Sequence, residues 1–143
     1  KKRLKLSKNQ ELYFTFIAHD DYIYGENRKI KVEEIQSAAK VLVAGIAKPE
    51  PFFAYLQNSN DVCLSFPDHH NFTDKDILEI KNLAQNNIII TTEKDYVRLK
   101  GSLPNEQLFY LPIQSSFISG HDTSGHNFNK PILDYVGTST RNR

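Results

Sequence analysis

The stretch SFPDHHNFTDKD, residues 65 to 76, sets an aspartate and two adjacent histidines behind a proline at the edge of an apolar run. Asp68, His69 and His70 could hold a metal, relay a proton or simply make a polar turn. Neighbouring side chains diverge on an extended or a turning backbone, so His69 and His70 do not readily share one metal; a helical site needs a spacing of three or four. Cys63 is the only cysteine, which leaves no thiolate set for structural zinc, and no metal is expected. A carboxylate beside an imidazole orients the ring and raises its proton affinity, as a relay requires. The competing reading is a loop whose aspartate caps backbone donors, and on the local pattern alone it is the stronger.

A second group, TTEKD at residues 91 to 95, has the same ambiguity. Lys94 at a strand-to-helix junction could meet a phosphate, while Glu93 and Asp95 in a first helical turn could simply favour the helix dipole. The sequence holds no G-x-x-x-x-G-K-[ST] and no G-x-G-x-x-G, since its 6 glycines are scattered. If this chain serves a nucleotide, another domain holds the phosphates.

These residues need elements to position them. ELYFTFIA (11–18) and DYIYG read as strands and together as a small ribbon or hairpin. ENRKIKVEEIQSAA is polar and weakly patterned. Val41, Leu42 and Val43 form an apolar run like a buried parallel strand, placed at about residues 40 to 46. Phe52, Phe53 and Leu56 fall at helical spacing behind Pro49 and Pro51, which suit a helix start; that start is reason enough for both Pro49 and Phe53. DVCLSF is a second strand with Cys63 as a small buried residue. Thr73 and Asp76 open a helix whose inner face is Ile77, Ile80, Leu83 and Ala84. NIIITT is a third strand, EKDYVRLKG a short helix closed by Gly101, and EQLFYLPIQ a fourth strand that Pro112 directs to a sheet edge. Residues 115 to 129 read as a loop or mobile link, and KPILDYV as a terminal helix. Alternating strands and helices give an α/β fold, a three-layer sandwich with a mostly parallel sheet plus a short two-stranded linker or hairpin. The expected organisation is linker strands at 1–30, an α/β lobe at 31–114 and a loop with terminal helix at 115–143. Both candidate groups then sit at strand ends on one side of the sheet, where α/β proteins place their sites.

With 143 residues there is room for one core. A net charge of +1, from 18 basic and 17 acidic residues, implies no general polyanion surface, and no nucleic acid partner is expected. The one basic run, Lys1, Lys2, Arg3, Lys5 and Lys8, reads as a solvated face. Apolar runs are too short to span a bilayer, so the chain is expected to be soluble. An abrupt charged start, the absence of methionine and a polar tail lead to the expectation of a piece of a longer protein.

Taken in order, VAGIAKPEPFF, FPDHHNFT and ITTEKDYVRL resemble the C-terminal half of the tetraacyldisaccharide 4′-kinases, the lipid A 4′-kinases, over about residues 11 to 113. The resemblance implies transfer of the ATP γ-phosphoryl group to the 4′-hydroxyl of a tetraacyldisaccharide 1-phosphate, at the cytoplasmic face of the bacterial inner membrane. It implies two α/β domains joined by a two-stranded linker, with the phosphate-binding loop, the Mg²⁺-related acids and a membrane-contacting segment in the N-terminal domain. This chain would be the smaller lobe, with ELYFTFIA and QLFYLPIQ supplying linker strands and the lobe's own N-terminal kinase domain as partner. ATP and Mg²⁺ would be bound mainly by that domain, and the fragment alone would be inactive. His69, preceded by Asp68, matches the family histidine that reaches the interdomain cleft and assists an aspartate acting on the substrate hydroxyl. His70 is site-adjacent, Glu93 or Lys94 faces the cleft, and Asp95 organises its turn.

Two other readings stay open. A metal-dependent phosphoesterase named for its D-H-H triplet would want an upstream D-x-D, which is missing. A non-catalytic α/β module that binds a nucleotide or a protein would equally lack a phosphate loop.

Overall fold

The computed structural model describes residues 5, 7–8, 10, 12–118 and 126–139. It separates into two units, His19–Ile113 and the flanking residues through Ala18 and from Gln114 onward. Along the chain come β1 (Thr15–His19), β2 (Tyr22–Tyr24), β3 (Lys29–Lys31), α1 (Val32–Ile35), β4 (Val41–Ala44), α2 (Glu50–Leu56) and β5 (Val62–Ser65). There follow α3 (Asp74–Ala84), β6 (Ile89–Thr92), α4 (Glu93–Leu99), β7 (Leu108–Leu111), β8 (Ile113–Phe117) and α5 (His126–Ser139).

In the larger unit six strands run in the order β3-β2-β7-β6-β4-β5. The four strands β7, β6, β4 and β5 are parallel, and β2 and β3 extend the sheet antiparallel. Strand β4 is buried along its whole length, because apolar residues face layers on both sides. Leu42 and Ala44 point to a cluster with Val32, Ile35, Phe52, Leu56, Ile90 and Phe109. Val41 and Val43 point the other way, to Ile80, Ala84, Ile89, Leu99 and Leu108. The period-two alternation thus sends each strand residue to one of two helical layers: α1 and α2 on one face, α3 and α4 on the other. This is the three-layer α/β arrangement with a mostly parallel sheet, and a separate two-stranded sheet accompanies it.

Local details depart from the sequence reading. Strand β1 pairs with β8, and β2 pairs with β3 and β7, so ELYFTFIA and DYIYG do not form one hairpin. The Asp20 carboxylate takes the Tyr22 amide at 2.9 Å and redirects the chain between them, an Asx turn. ENRKIKVEEIQSAA holds β3 and α1, elements too short to leave a period in the sequence. Strand β7 is interior, since β2 covers its free side; Pro112 falls between β7 and β8, where no ladder donor is needed, and its carbonyl accepts from Asp20 at 3.1 Å. Leu83 is 39% exposed, leaving Ile80 and Ala84 as the buried face of α3 with Ile77 half-buried. Cys63 is half-buried, because β5 is the edge strand. Residues 115–117 are strand rather than loop, and α5 begins at His126 and includes KPILDYV; residues 119–125 lie outside the described ones.

In the smaller unit Tyr13 packs edge-on against Phe117 at 6.0 Å and Phe128 at 5.0 Å. No helix among the described residues is long and apolar enough to cross a membrane.

At the end of the sheet where β4 and β5 begin, Lys40 and Asp61 form an ion pair of 2.8 Å with both side chains 0% exposed. Asp61 also accepts from the Lys40 amide at 3.1 Å and the Asn58 amide at 2.8 Å, so its lone pairs are used and the starts of two parallel strands are locked together.

Candidate functional site

The opposite end of the sheet carries the residues singled out above. Strand β5 ends at Ser65, and the Phe66 amide still bonds the Ala44 carbonyl at 2.8 Å. The chain then turns through Pro67 to His70 and enters α3. Thr73 caps that helix with a full capping box: its hydroxyl accepts from the Asp76 amide at 3.3 Å, while Asp76 accepts from the Thr73 amide at 2.7 Å.

Asp68 and His69 stand on this turn. Asp68 Oδ1 receives the Lys94 ammonium at 3.0 Å and the His69 amide at 3.0 Å, and Asp68 Oδ2 lies 3.5 Å from His69 Nε2. Lys94 therefore anchors Asp68 more closely than Asp68 anchors the imidazole. Its ammonium holds the Asp68 carboxyl below the ordinary carboxylate value. The His69 side chain is 72% exposed, on a backbone with φ of 59°. Such a left-handed residue other than glycine persists only where its surroundings enforce it.

His70 turns the other way, as expected of a neighbour. Its ring stacks on Phe66 at 4.8 Å, meets Phe72 edge-on at 5.3 Å and places Nε2 2.9 Å from Asp76 Oδ2. Bonds from Thr73 and then from His70 bring the Asp76 carboxyl down to about 2. His70 is thus a bracket between the turn and the helix cap.

The TTEKD group divides by depth. Thr92 caps α4, its hydroxyl accepting from the Asp95 amide at 3.2 Å and donating to Asp95 Oδ2 at 2.8 Å. Asp95 is 0% exposed and its Oδ2 takes the Gly45 amide at 2.7 Å. It lies under the strand ends rather than lining an open cleft, because Gly45 leaves room for it: a Cβ there would sit 3.1 Å from Asp95 Oδ1. Glu93 is exposed and has no side-chain hydrogen bond or ion pair among the described residues. Lys94 is half-exposed and committed to Asp68.

Arg98, the last-turn cation of α4 that no sequence motif singles out, reaches the same place. It donates to the His70 carbonyl at 3.2 Å and lies 3.8 Å from Asp95 Oδ1. Its i, i+4 relation to Lys94 was the available signal.

The arrangement puts one exposed imidazole beside an anchored carboxylate, with a cation within reach. No group of three or more histidine, cysteine or acidic side chains among the described residues is placed to hold a metal. With Lys94 neutralised by Asp68, these residues do not fit a site that holds Mg²⁺ or ATP phosphates by themselves. A hollow of about 290 Å³, lined by Asp21, Lys31, Val32, Glu33, Gln36 and Tyr55, adjoins the β2–β3 edge, across the sheet from β5.

The profile of the family described as Tetraacyldisaccharide-1-P 4′-kinase matches residues 2–130. A protein of Flavobacterium psychrophilum named tetraacyldisaccharide 4′-kinase is 52% identical over 136 residues, 95% of this chain and 38% of its own. One from Flavobacterium johnsoniae with the same name is 54% identical over 134 residues, 94% of this chain and 38% of its own. A third, from Phocaeicola vulgatus, is 33% identical over 99% of this chain and 42% of its own. The chain thus spans about two fifths of the length of these curated relatives. No solved structure matches it.

Proposed function

Because the chain belongs to the tetraacyldisaccharide-1-P 4′-kinase family, we propose that it is the lobe of such an enzyme that brings His69 to the substrate hydroxyl. The reaction is transfer of the ATP γ-phosphoryl group to the 4′-hydroxyl of a tetraacyldisaccharide 1-phosphate, at the cytoplasmic face of the bacterial inner membrane. Phosphoryl transfer asks a protein mainly for positioning, charge stabilisation and help with the nucleophile's proton. This lobe supplies the last of these, while Mg²⁺ and the ATP phosphates are held by the remainder of the full-length enzyme. Closure of the two lobes completes the site, so this lobe alone transfers no phosphate.

One observation carries the reading: His69 is the exposed imidazole of the D-H-H turn, while His70 is occupied by Asp76 and Asp95 is buried. An exposed ring on an enforced left-handed backbone is poorly explained by stability and well explained by presentation to a partner group. Asp68 would orient that ring and favour its protonated form as it assists the other lobe's aspartate that acts on the hydroxyl. Lys94 keeps Asp68 ionised and in place.

The test is His69→Ala in the full-length kinase, with turnover and ATP affinity both measured. A fall in turnover of about a hundred-fold is expected, in the range for loss of a general acid or base, with ATP affinity preserved. Unchanged turnover would refute the role.

A further inference from the structure

We infer that Arg98 is a positioning residue for the turn that carries His69, an inference that rests on the role just given to His69. Its guanidinium joins a carbonyl on the turn after β5 to a buried carboxylate of its own helix, α4. On one side is the His70 carbonyl at 3.2 Å; on the other, at 3.8 Å, is Asp95 Oδ1, a buried oxygen that accepts no hydrogen bond among the described residues. Asp95 Oδ2 in turn holds the Gly45 amide at 2.7 Å. The loop after β4, the turn after β5 and the start of α4 are therefore joined through two side chains of one helix.

Lys94 lies one helical turn earlier on the same side of α4 and holds Asp68. The two cations grip the residues immediately before and after His69. Gripping both neighbours is what a non-glycine residue at φ of 59° needs, since a free turn would relax it into a more favoured region. Both contacts come from one nitrogen, Nη1, held in a planar guanidinium that stays charged; a lysine ammonium keeps the charge but sits on a flexible stem without that fixed plane. The Arg98 side chain is 32% exposed, where an ion pair contributes little to global stability. Its effect is local order in the turn.

The experiment compares Arg98→Ala, Arg98→Lys and Arg28→Ala in the full-length kinase by hydrogen exchange of the peptide spanning residues 66 to 72 and by steady-state kinetics. Arg28 is the control because it also gives a hydrogen bond to a carbonyl, that of Glu106 at 2.7 Å, but at the other end of the sheet. Loss of one charge-assisted bond predicts about ten-fold faster exchange of the turn in Arg98→Ala and no change in Arg28→Ala. The turnover number should fall about ten-fold with the ATP KM within about two-fold, the split expected of a misplaced group rather than a lost binding contact. Arg98→Lys keeps the stem and charge, should fold as the wild type does, and should recover only part of both effects. Exchange and turnover in Arg98→Ala matching those of Arg28→Ala would overturn the inference. Should His69→Ala prove fully active, the reading of His69 falls, and the exchange comparison still decides whether Arg98 orders the turn.

Discussion

The Asp95 carboxylate accepts the Gly45 amide at 2.7 Å although the two residues are 50 positions apart. This bond fixes the end of β4 against the start of α4, and the loops that flank the D-H-H turn are built on it. Asp95→Ala leaves a buried amide and the Thr92 hydroxyl without their acceptor, at a cost of about 1–3 kcal/mol. Gly45→Ala pushes a methyl to within 3.1 Å of the same carboxylate and should destabilise for the opposite reason, overpacking. Urea unfolding of both variants checks this, and wild-type midpoints would contradict it.

His69→Gly separates stability from function. Glycine occupies the left-handed region without the Cβ penalty, so this substitution should leave the unfolding free energy unchanged or raise it by up to about 1 kcal/mol. The full-length kinase carrying it should nonetheless lose turnover as His69→Ala does. A parallel loss of stability and activity would mean that the imidazole holds the turn together.

Asp76 gives the fold an acid dependence. Its carboxyl titrates at about 2 when folded against an ordinary 3.8, so the unfolded chain binds the proton first as pH falls. The stabilisation is fully present above the ordinary value and is lost between about pH 4 and pH 2. Asp68 is shifted in the same direction and adds to the same slope. Asp76→Asn should flatten the dependence of the urea midpoint on pH across that window while changing little of its shape above pH 5. A variant with the wild-type slope would show that the cap and His70 do not lower this carboxyl.

Lys94→Ala removes the group that holds Asp68 ionised. The Asp68 carboxyl should move up towards the ordinary aspartate value, read as its side-chain carbon shift in an NMR titration. Turnover of the full-length enzyme should fall less than in His69→Ala, because the imidazole remains. An unmoved Asp68 titration would place its control elsewhere.

The Lys40–Asp61 pair is a structural counterpart at the far end of the sheet. Asp61→Ala leaves a buried ammonium uncompensated and should cost about 3–5 kcal/mol, whereas replacing both residues by apolar ones of similar volume should restore much of that. Denaturant midpoints of the single and double variants test it, and equal loss in both would argue against burial of charge as the cause.

Much of the larger unit is legible in the amino-acid sequence. The runs around Leu42 and Ile90 read as strands because a strand covered on both faces must be continuously apolar, and the shorter apolar runs around Cys63 and Phe109 read as strands beside them. Thr73 and Asp76 announced α3 because a capping box is a local bargain between residues three apart. Pairing is the harder part: QLFYLPIQ is expected to supply a linker strand beside ELYFTFIA, but its Leu108–Leu111 is β7 of the main sheet and the partner of β1 begins at Ile113. The place of β2 beside β7 and the Lys40–Asp61 lock leave no sign at all in the sequence. These join residues far apart in sequence, and no local period encodes which distant edge a short strand will meet.

The site divides along the same line. Residue types and motif order, FPDHHNFT with ITTEKDYVRL, determined that this chain resembles one lobe of a lipid kinase and that His69 was the imidazole to watch. Tertiary structure decided how each candidate is used. His70 is drawn to Asp76, Asp95 is sealed beneath Gly45, and Asp68 is shared between Lys94 on one oxygen at 3.0 Å and His69 beside the other at 3.5 Å. Only three-dimensional packing could bring Arg98 to the His70 carbonyl, because that contact follows from how α4, packed on β6 and β7, meets the loops that follow β4 and β5. The sequence names the groups that can carry charge, and the fold alone settles which of those charges are left for chemistry.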